Sequence, residues 1–225
     1  MRVGTVAQIW RYPVKSLKGE ALEKTHVSRA GLPHDRETAL FAERGHYART
    51  GKTYRGKEHN LLHTASRIED ARAFASERGV DVEIRSDAAQ RFFDAKPVSL
   101  IVDRWIDEVS RALGETLDPL RWRPNFYVRA TAGFELGEAE LVGATLLVGS
   151  TVLHVVDTIG RCVTTTYDIE TGEQNDDVLT YVALKRANVM GIYCEVRAEG
   201  EVCVGDAVEV RDLRTSRTTD SSASI

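Results

Sequence analysis

Leu146-Leu147-Val148-Gly149-Ser150-Thr151-Val152-Leu153-His154-Val155-Val156 decides the fold class. It holds two short apolar runs on either side of a glycine turn signal, and β-branched residues dominate the second. Working outward, Ile192 to Val196 and Val208-Glu209-Val210 repeat the theme, with Gly143 before the first run and Gly200 and Gly205 between the last two. Many short strands at close spacing predict a barrel-like sheet, because closure removes exposed edges. Upstream, Val3 to Trp10 reads as a strand ending at the turn around Pro13. Ala21 to Val27, Thr38 to Ala42 and Val80 to Arg85 read as further strands. Three segments read as helices. Ser66 to Arg78 starts on a capping box, Ser66 with Glu69, and stops at Gly79. Val98 to Leu113 carries Ile101, Trp105, Val109 and Leu113 on one apolar face and ends at Gly114. Asp177 to Arg186 is a short helix against the sheet. The class is mixed β with peripheral α.

A composition shift near Asp94 to Pro97 divides the chain. Residues 1–95 form a smaller β-rich N-terminal domain, 96–212 the barrel, and 213–225 a polar, Ser- and Thr-rich tail with too little apolar content to order itself. The formal net charge of −4 argues against a nucleic-acid binder, which needs excess cations. No apolar run is long enough to cross a bilayer, and no signal-like stretch opens the sequence, so the expected location is cytoplasmic. Three cysteines, Cys162, Cys194 and Cys203, are too few and too scattered for a disulfide framework or a four-cysteine cluster.

Chemistry centres on Gly160-Arg161-Cys162-Val163-Thr164-Thr165-Thr166. A thiolate suits a thiophilic metal, and Arg161 beside it favours the charged form. The threonines add hydroxyls and backbone amides. Against this stands the ordinary fate of a cysteine, a small buried hydrophobe. Lys15 and Ser16 follow Pro13 in a turn, where lysine can meet a phosphate or simply face water. In Arg121-Trp122-Arg123-Pro124-Asn125, an extended backbone would put both guanidiniums on one side as an anion clamp, with Asn125 adding a donor and an acceptor. Arg36 follows Asp35, which alone would suggest a surface ion pair. His59 and His63 have helical ligand spacing but lack the glutamate of a zinc hydrolase. Phosphate-loop, dinucleotide and nucleophile-elbow signatures are absent.

Taken in order, Tyr12-Pro13-Val14-Lys15-Ser16, Asp35-Arg36, Arg123-Pro124-Asn125, Arg161-Cys162 with Thr164-Thr165, Thr171-Gly172, Gly200 to Val204 and Gly205-Asp206 resemble the MOSC-domain proteins. The name comes from the C-terminal domain of molybdenum cofactor sulfurase. The branch most similar contains the mitochondrial amidoxime-reducing component and its bacterial relatives. The likeness runs from the first strand to Val210. It implies a MOSC-type β-barrel core, a smaller N-terminal β-rich domain and a molybdenum cofactor (Mo-molybdopterin) in the cleft between them. It also implies that Cys162 ligates the metal, while Lys15, Ser16, Arg36, Arg123, Asn125, Arg161, Thr164 and Tyr193 hold the pterin and its phosphate. Asp94 falls where the family has an aspartate near the metal and would relay protons. The implied reaction is two-electron oxygen-atom removal from an N-hydroxylated small molecule, fed by a separate electron-transfer protein. The chain departs from the family in being shorter around residues 86 to 97 and in carrying Trp122 where a phenylalanine is expected. Two other readings stay open. One is a cofactor or sulfur carrier using Cys162 without turnover. The other is a barrel that binds a small phosphorylated ligand.

Overall fold

Described in the computed structural model are residues 1–42, 67–77, 79, 81–89 and 91–213. The His59/His63 pair, the Ser66 cap and the polar segment from Thr215 onward lie outside the described residues. In chain order the elements begin with β1 (Arg2–Arg11), β2 (Glu20–Leu22), β3 (Lys24–Val27), β4 (Thr38–Ala42), α1 (Ile68–Ser76) and β5 (Val82–Ser86). Then come β6 (Val98–Val102), α2 (Asp103–Leu113), a 3-10 turn at Pro119–Trp122, β7 (Phe126–Ala130) and α3 (Glu138–Leu141). The chain continues through β8 (Thr145–Val148), β9 (Thr151–Gly160), a second 3-10 turn at Val163–Thr166 and α4 (Asp176–Lys185). It closes with β10 (Val189–Ala198), β11 (Gly200–Cys203) and β12 (Ala207–Asp212).

Among the described residues, seven strands close a barrel in the order β12-β8-β9-β10-β6-β7-β1, and β1 returns to β12 through Gly4↔Val208. Neighbours are antiparallel except β6 and β7, which run parallel with Leu100 opposite Phe126. A parallel pair cannot be joined by a hairpin, and α2 with the first 3-10 turn supplies the crossover. β9 shows how the pleat builds the core. Leu153, Val155 and Ile159 are buried, while His154 and Val156 between them are half-buried. Each fully buried aliphatic side chain contributes about 1.5–3 kcal/mol. The barrel takes one strand, β1, from the segment that the sequence assigns to the N-terminal domain. Among the other described residues of that segment, β2 pairs with β1, while β4, β5 and α1 make a small sheet and helix with their own core of Leu17, Leu40, Ala71, Ala75 and Val82. β3 pairs with β11 as a separate ribbon.

Two sequence expectations need correction. Val98 to Leu113 is not one helix: Val98–Val102 is a strand, buried at every position, and α2 begins at Asp103. A strand buried on both faces has no alternation, so its apolar run passes for part of a helical face. α2 itself buries Trp105, Ile106 and Val109 and ends at Gly114, whose φ of 67° suits a left-handed cap. Ala21 to Val27 is two strands, β2 extending β1 and β3 joining β11, because their pairing partners differ. No helix among the described residues is long and apolar enough to cross a membrane.

Candidate functional site

Where β9 ends, Arg161 donates its amide to Asn188 O at 3.0 Å, and Asn188 Nδ2 donates back to Arg161 O at 3.0 Å. This clasp fixes the exit of the strand. Cys162 follows in extended conformation and leads into the Val163–Thr166 turn. Thr165 donates both its amide (3.1 Å) and its hydroxyl (3.0 Å) to Cys162 O. The thiol is exposed, with Sγ 3.4 Å from Thr164 Oγ1. The other thiols differ. Cys194 is buried in the barrel, which pushes its pKa up to about 12. Cys203 is raised by burial and then by Asp206.

The thiol opens on a cleft that Lys15, Ser16 and Arg36 border from the N-terminal half, and Arg123, Arg161 and Tyr193 from the barrel half. Tyr12 organises its cationic wall. The ring is fully buried, with the Arg123 guanidinium 4.2 Å and the Arg36 guanidinium 4.7 Å from its centroid. Asp35, fully buried, accepts from Tyr12 N (2.7 Å), Arg36 Nη1 (2.5 Å) and Asn125 Nδ2 (3.1 Å). Burial works against the charge of Arg36, but Asp35 outweighs it and raises the pKa. Burial pulls Arg123 and Arg161 down to about 10, which leaves both charged at neutral pH. Arg161 donates through Nε to Met190 O (2.7 Å), through Nη1 to Trp122 O (2.9 Å) and through Nη2 to Met190 O. Ser16, Arg36 and Arg123 hold left-handed φ values of 73°, 54° and 52°. Non-glycine residues there cost of order 1–3 kcal/mol each, strain typical of binding sites.

Most of the predicted residues meet at this cleft: Cys162, Asp94, Lys15, Ser16, Arg36, Arg123, Arg161, Thr164 and Tyr193 all line it. Asp94 bonds Lys15 Nζ at 2.8 Å on the rim, with just over half of its side chain exposed. Burial raises the Tyr193 phenol above its ordinary range, and Asp94 adds to the effect. Asn125 sits behind the wall. Its Oδ1 accepts from Ser99 N and Oγ (3.0 Å each), and its Nδ2 donates to Trp10 O (3.2 Å) and Asp35. Its amide is thus committed to joining β1, β6 and the turn before β7. The twin-arginine clamp needs correction too. Residues 119–122 form a 3-10 turn, and Arg123 is left-handed, so alternation does not apply. Arg121 turns instead to Asp168 Oδ2 at 3.0 Å. Sequence reasoning quoted Tyr12 and Asp35 within motifs but gave neither a role at the site, weighing a surface ion pair for Asp35 with Arg36, and it did not single out Asp168. The role of Tyr12 could have been found, since a tyrosine just before Pro-Val-Lys-Ser closes a strand-like run.

Three consecutive cleft residues carry a buried N–H without a protein acceptor: Arg121 Nε, Trp122 Nε1 and Arg123 Nη2. Unmade buried bonds cost about 1–3 kcal/mol each, so such a cluster fits an acceptor-rich ligand. Among the described residues no three His, Cys, Asp or Glu side chains converge as a metal cage. One exposed thiol with surplus cations suits a metal that arrives with its own ligands and an anionic anchor.

The MOSC domain family model matches residues 87–209, and that of the MOSC N-terminal beta barrel domain matches residues 3–94. The chain is 23% identical over 288 residues to mitochondrial amidoxime reducing component 2 of Bos taurus, spanning 92% of this chain and 83% of that protein. It is likewise 23% identical over 287 residues to the protein of that name from Macaca fascicularis, with the same coverage. Among solved structures, the YUAD protein from Bacillus subtilis superposes with a TM-score of 0.51 at 14% identity, covering 92% of this chain and 95% of that one. That likeness concerns the fold alone.

Proposed function

Because the chain belongs to the MOSC domain family, a family associated with the molybdenum cofactor, we propose that its cleft holds that cofactor and reduces N-hydroxylated compounds, such as amidoximes, to the parent base and water. One observation carries this reading: an exposed Cys162 thiol and a buried, partly unpartnered Arg123 guanidinium border the same cleft. Cys162 Sγ would be the protein's ligand to the metal. Lys15, Ser16, Arg36, Arg123 and Arg161 would grip the phosphate and pterin, with Thr164 and Tyr193 beside them. When bound, that group supplies two-electron oxygen-atom chemistry. The reaction consumes two electrons and two protons for each N–O bond broken and releases one water. The Lys15–Asp94 pair on the rim connects the cleft to solvent and is suited to pass protons inward. The Tyr193 hydroxyl, an O–H donor whose pKa burial raises further, can donate a hydrogen bond to a substrate oxygen. Electrons would come from a separate electron-transfer protein.

The test is protein purified from cells that make the cofactor. Elemental analysis and pterin fluorescence should give about one molybdenum and one pterin per chain. A reduced viologen dye should drive conversion of an aryl amidoxime to the amidine. Cys162→Ser should lose metal or lower turnover about a hundredfold or more. The exposed thiol also favours a second reading, a sulfur carrier. Protein that carries one extra sulfur on Cys162 and shows no turnover would select it. Finding neither metal, pterin nor extra sulfur would sink both.

A further inference from the structure

Arg121 borders the cleft yet spends its guanidinium on the turn that carries the thiol. Nη1 donates to Thr166 O at 3.0 Å, the last residue of the Val163–Thr166 turn. Nη2 donates to Asp168 Oδ2 at 3.0 Å and lies 3.5 Å from Glu115 Oε1. Asp168 in turn folds the next loop: its Oδ1 accepts from Glu170 N and Thr171 N, both at 2.9 Å. Asn175 N joins Arg121 on Thr166 O at 2.9 Å, and Asn175 Nδ2 reaches Glu115 Oε2 at 2.7 Å. The Arg121 side chain is almost wholly buried, while Asp168 is about a quarter exposed. Two residues after Arg121 comes Arg123, and Trp122 O between them accepts from Arg161, the neighbour of Cys162. One forked side chain therefore ties the cationic turn to the thiol turn.

We infer that Arg121 and Asp168 are positioning residues for Cys162, holding its turn at a fixed place against the cationic wall. The inference rests on the reading of Cys162 as the metal's thiolate. Neither residue touches the reacting atoms; both act through Thr166 and the loop behind it. A lysine cannot replace Arg121, because a single ammonium does not reproduce the planar fork that serves Thr166 O and Asp168 together.

Two variants test this in the full chain. Asp168→Asn removes the ion pair from its outer, partly exposed side and spares the core. Arg121→Lys keeps the charge and loses the fork. Hydrogen exchange on cofactor-free protein should show the 163–167 amides exchanging about tenfold faster in both, with peptides from β9 and β10 unchanged. In loaded protein, kcat per bound molybdenum should fall about tenfold while KM for the amidoxime stays the same, the signature of displaced chemistry rather than lost substrate binding. Exchange that stays at the unaltered level in 163–167, or rises equally across the barrel, overturns the inference. So does an unchanged kcat per molybdenum. If the unaltered protein takes up no molybdenum, the proposed function fails, and the exchange comparison still decides whether the clamp holds the turn.

Discussion

Replacing Asp35 by asparagine preserves its size and removes the buried carboxylate that faces the two guanidiniums beside Tyr12. Three donors converge on that carboxylate, from Tyr12 N, Arg36 Nη1 and Asn125 Nδ2. An asparagine has one acceptor oxygen, so at least one of those donors would face an NH2 group instead. Breaking a buried ion pair by removing one partner costs about 3–5 kcal/mol. The Arg36 side chain keeps 14% of its surface exposed, which places the loss near the lower end, about 3 kcal/mol. In a domain of this size each kcal/mol moves Tm by about 2–4 °C, so Asp35→Asn should melt roughly 6–12 °C below the unaltered protein. Calorimetry on cofactor-free protein at pH 7 reads this directly. Adding Arg36→Met to Asp35→Asn should recover at least half of the loss, because removing both partners of a buried pair is far milder than removing one. A single variant melting within about 2 °C of the unaltered protein would refute the view that Asp35 neutralises the wall.

A Cβ at Gly4 would lie 1.9 Å from Arg129 O and 2.8 Å from Arg129 C, backbone atoms of the paired strand β7 that cannot swing aside. Gly4→Ala should therefore cost about 3 kcal/mol through forced separation of β1 and β7, read as a lower urea midpoint at unchanged m, and an unshifted midpoint would count against that seam. The backbone amides of Thr171 and Glu170, helped by Arg121, hold the Asp168 carboxyl below the usual carboxylate range. The folded state then binds that proton less readily than the unfolded chain. The resulting stability is fully present above the ordinary value of 3.8 and is lost as pH falls through the lowered one. The Tm gap between the unaltered protein and Asp168→Asn should shrink on acidification below about pH 4; a gap that widens there would contradict the sign.

Local patterns carried much of the fold. β4 runs from Thr38 to Ala42 as its sequence predicts, and β8, β9, β10 and β12 each contain the apolar run that marked them. Strand alternation and glycine turns are properties of neighbouring residues, so one chain displays them. Val98–Val102 escaped because burial on both faces erases alternation. The membership of β1 in the barrel depends on partners near residues 126–130 and 207–209, which no period within Arg2–Arg11 records.

The site divides along the same line. By itself, the sequence determined the inventory: one cysteine beside an arginine, a lysine and serine after Pro13, and scattered guanidiniums in a slightly acidic chain. Only the tertiary structure decided which of those charges are spent and which are left over. Arg121 is neutralised by Asp168, 47 residues away, although its Nε stays unpartnered, and Asn125 is consumed by Asp35, 90 residues away, while Arg123 lies over the Tyr12 ring with Nη2 unpartnered. Charge compensation acts through space and depends on burial. It is set when distant segments pack together, and a linear pattern of residue types cannot contain it.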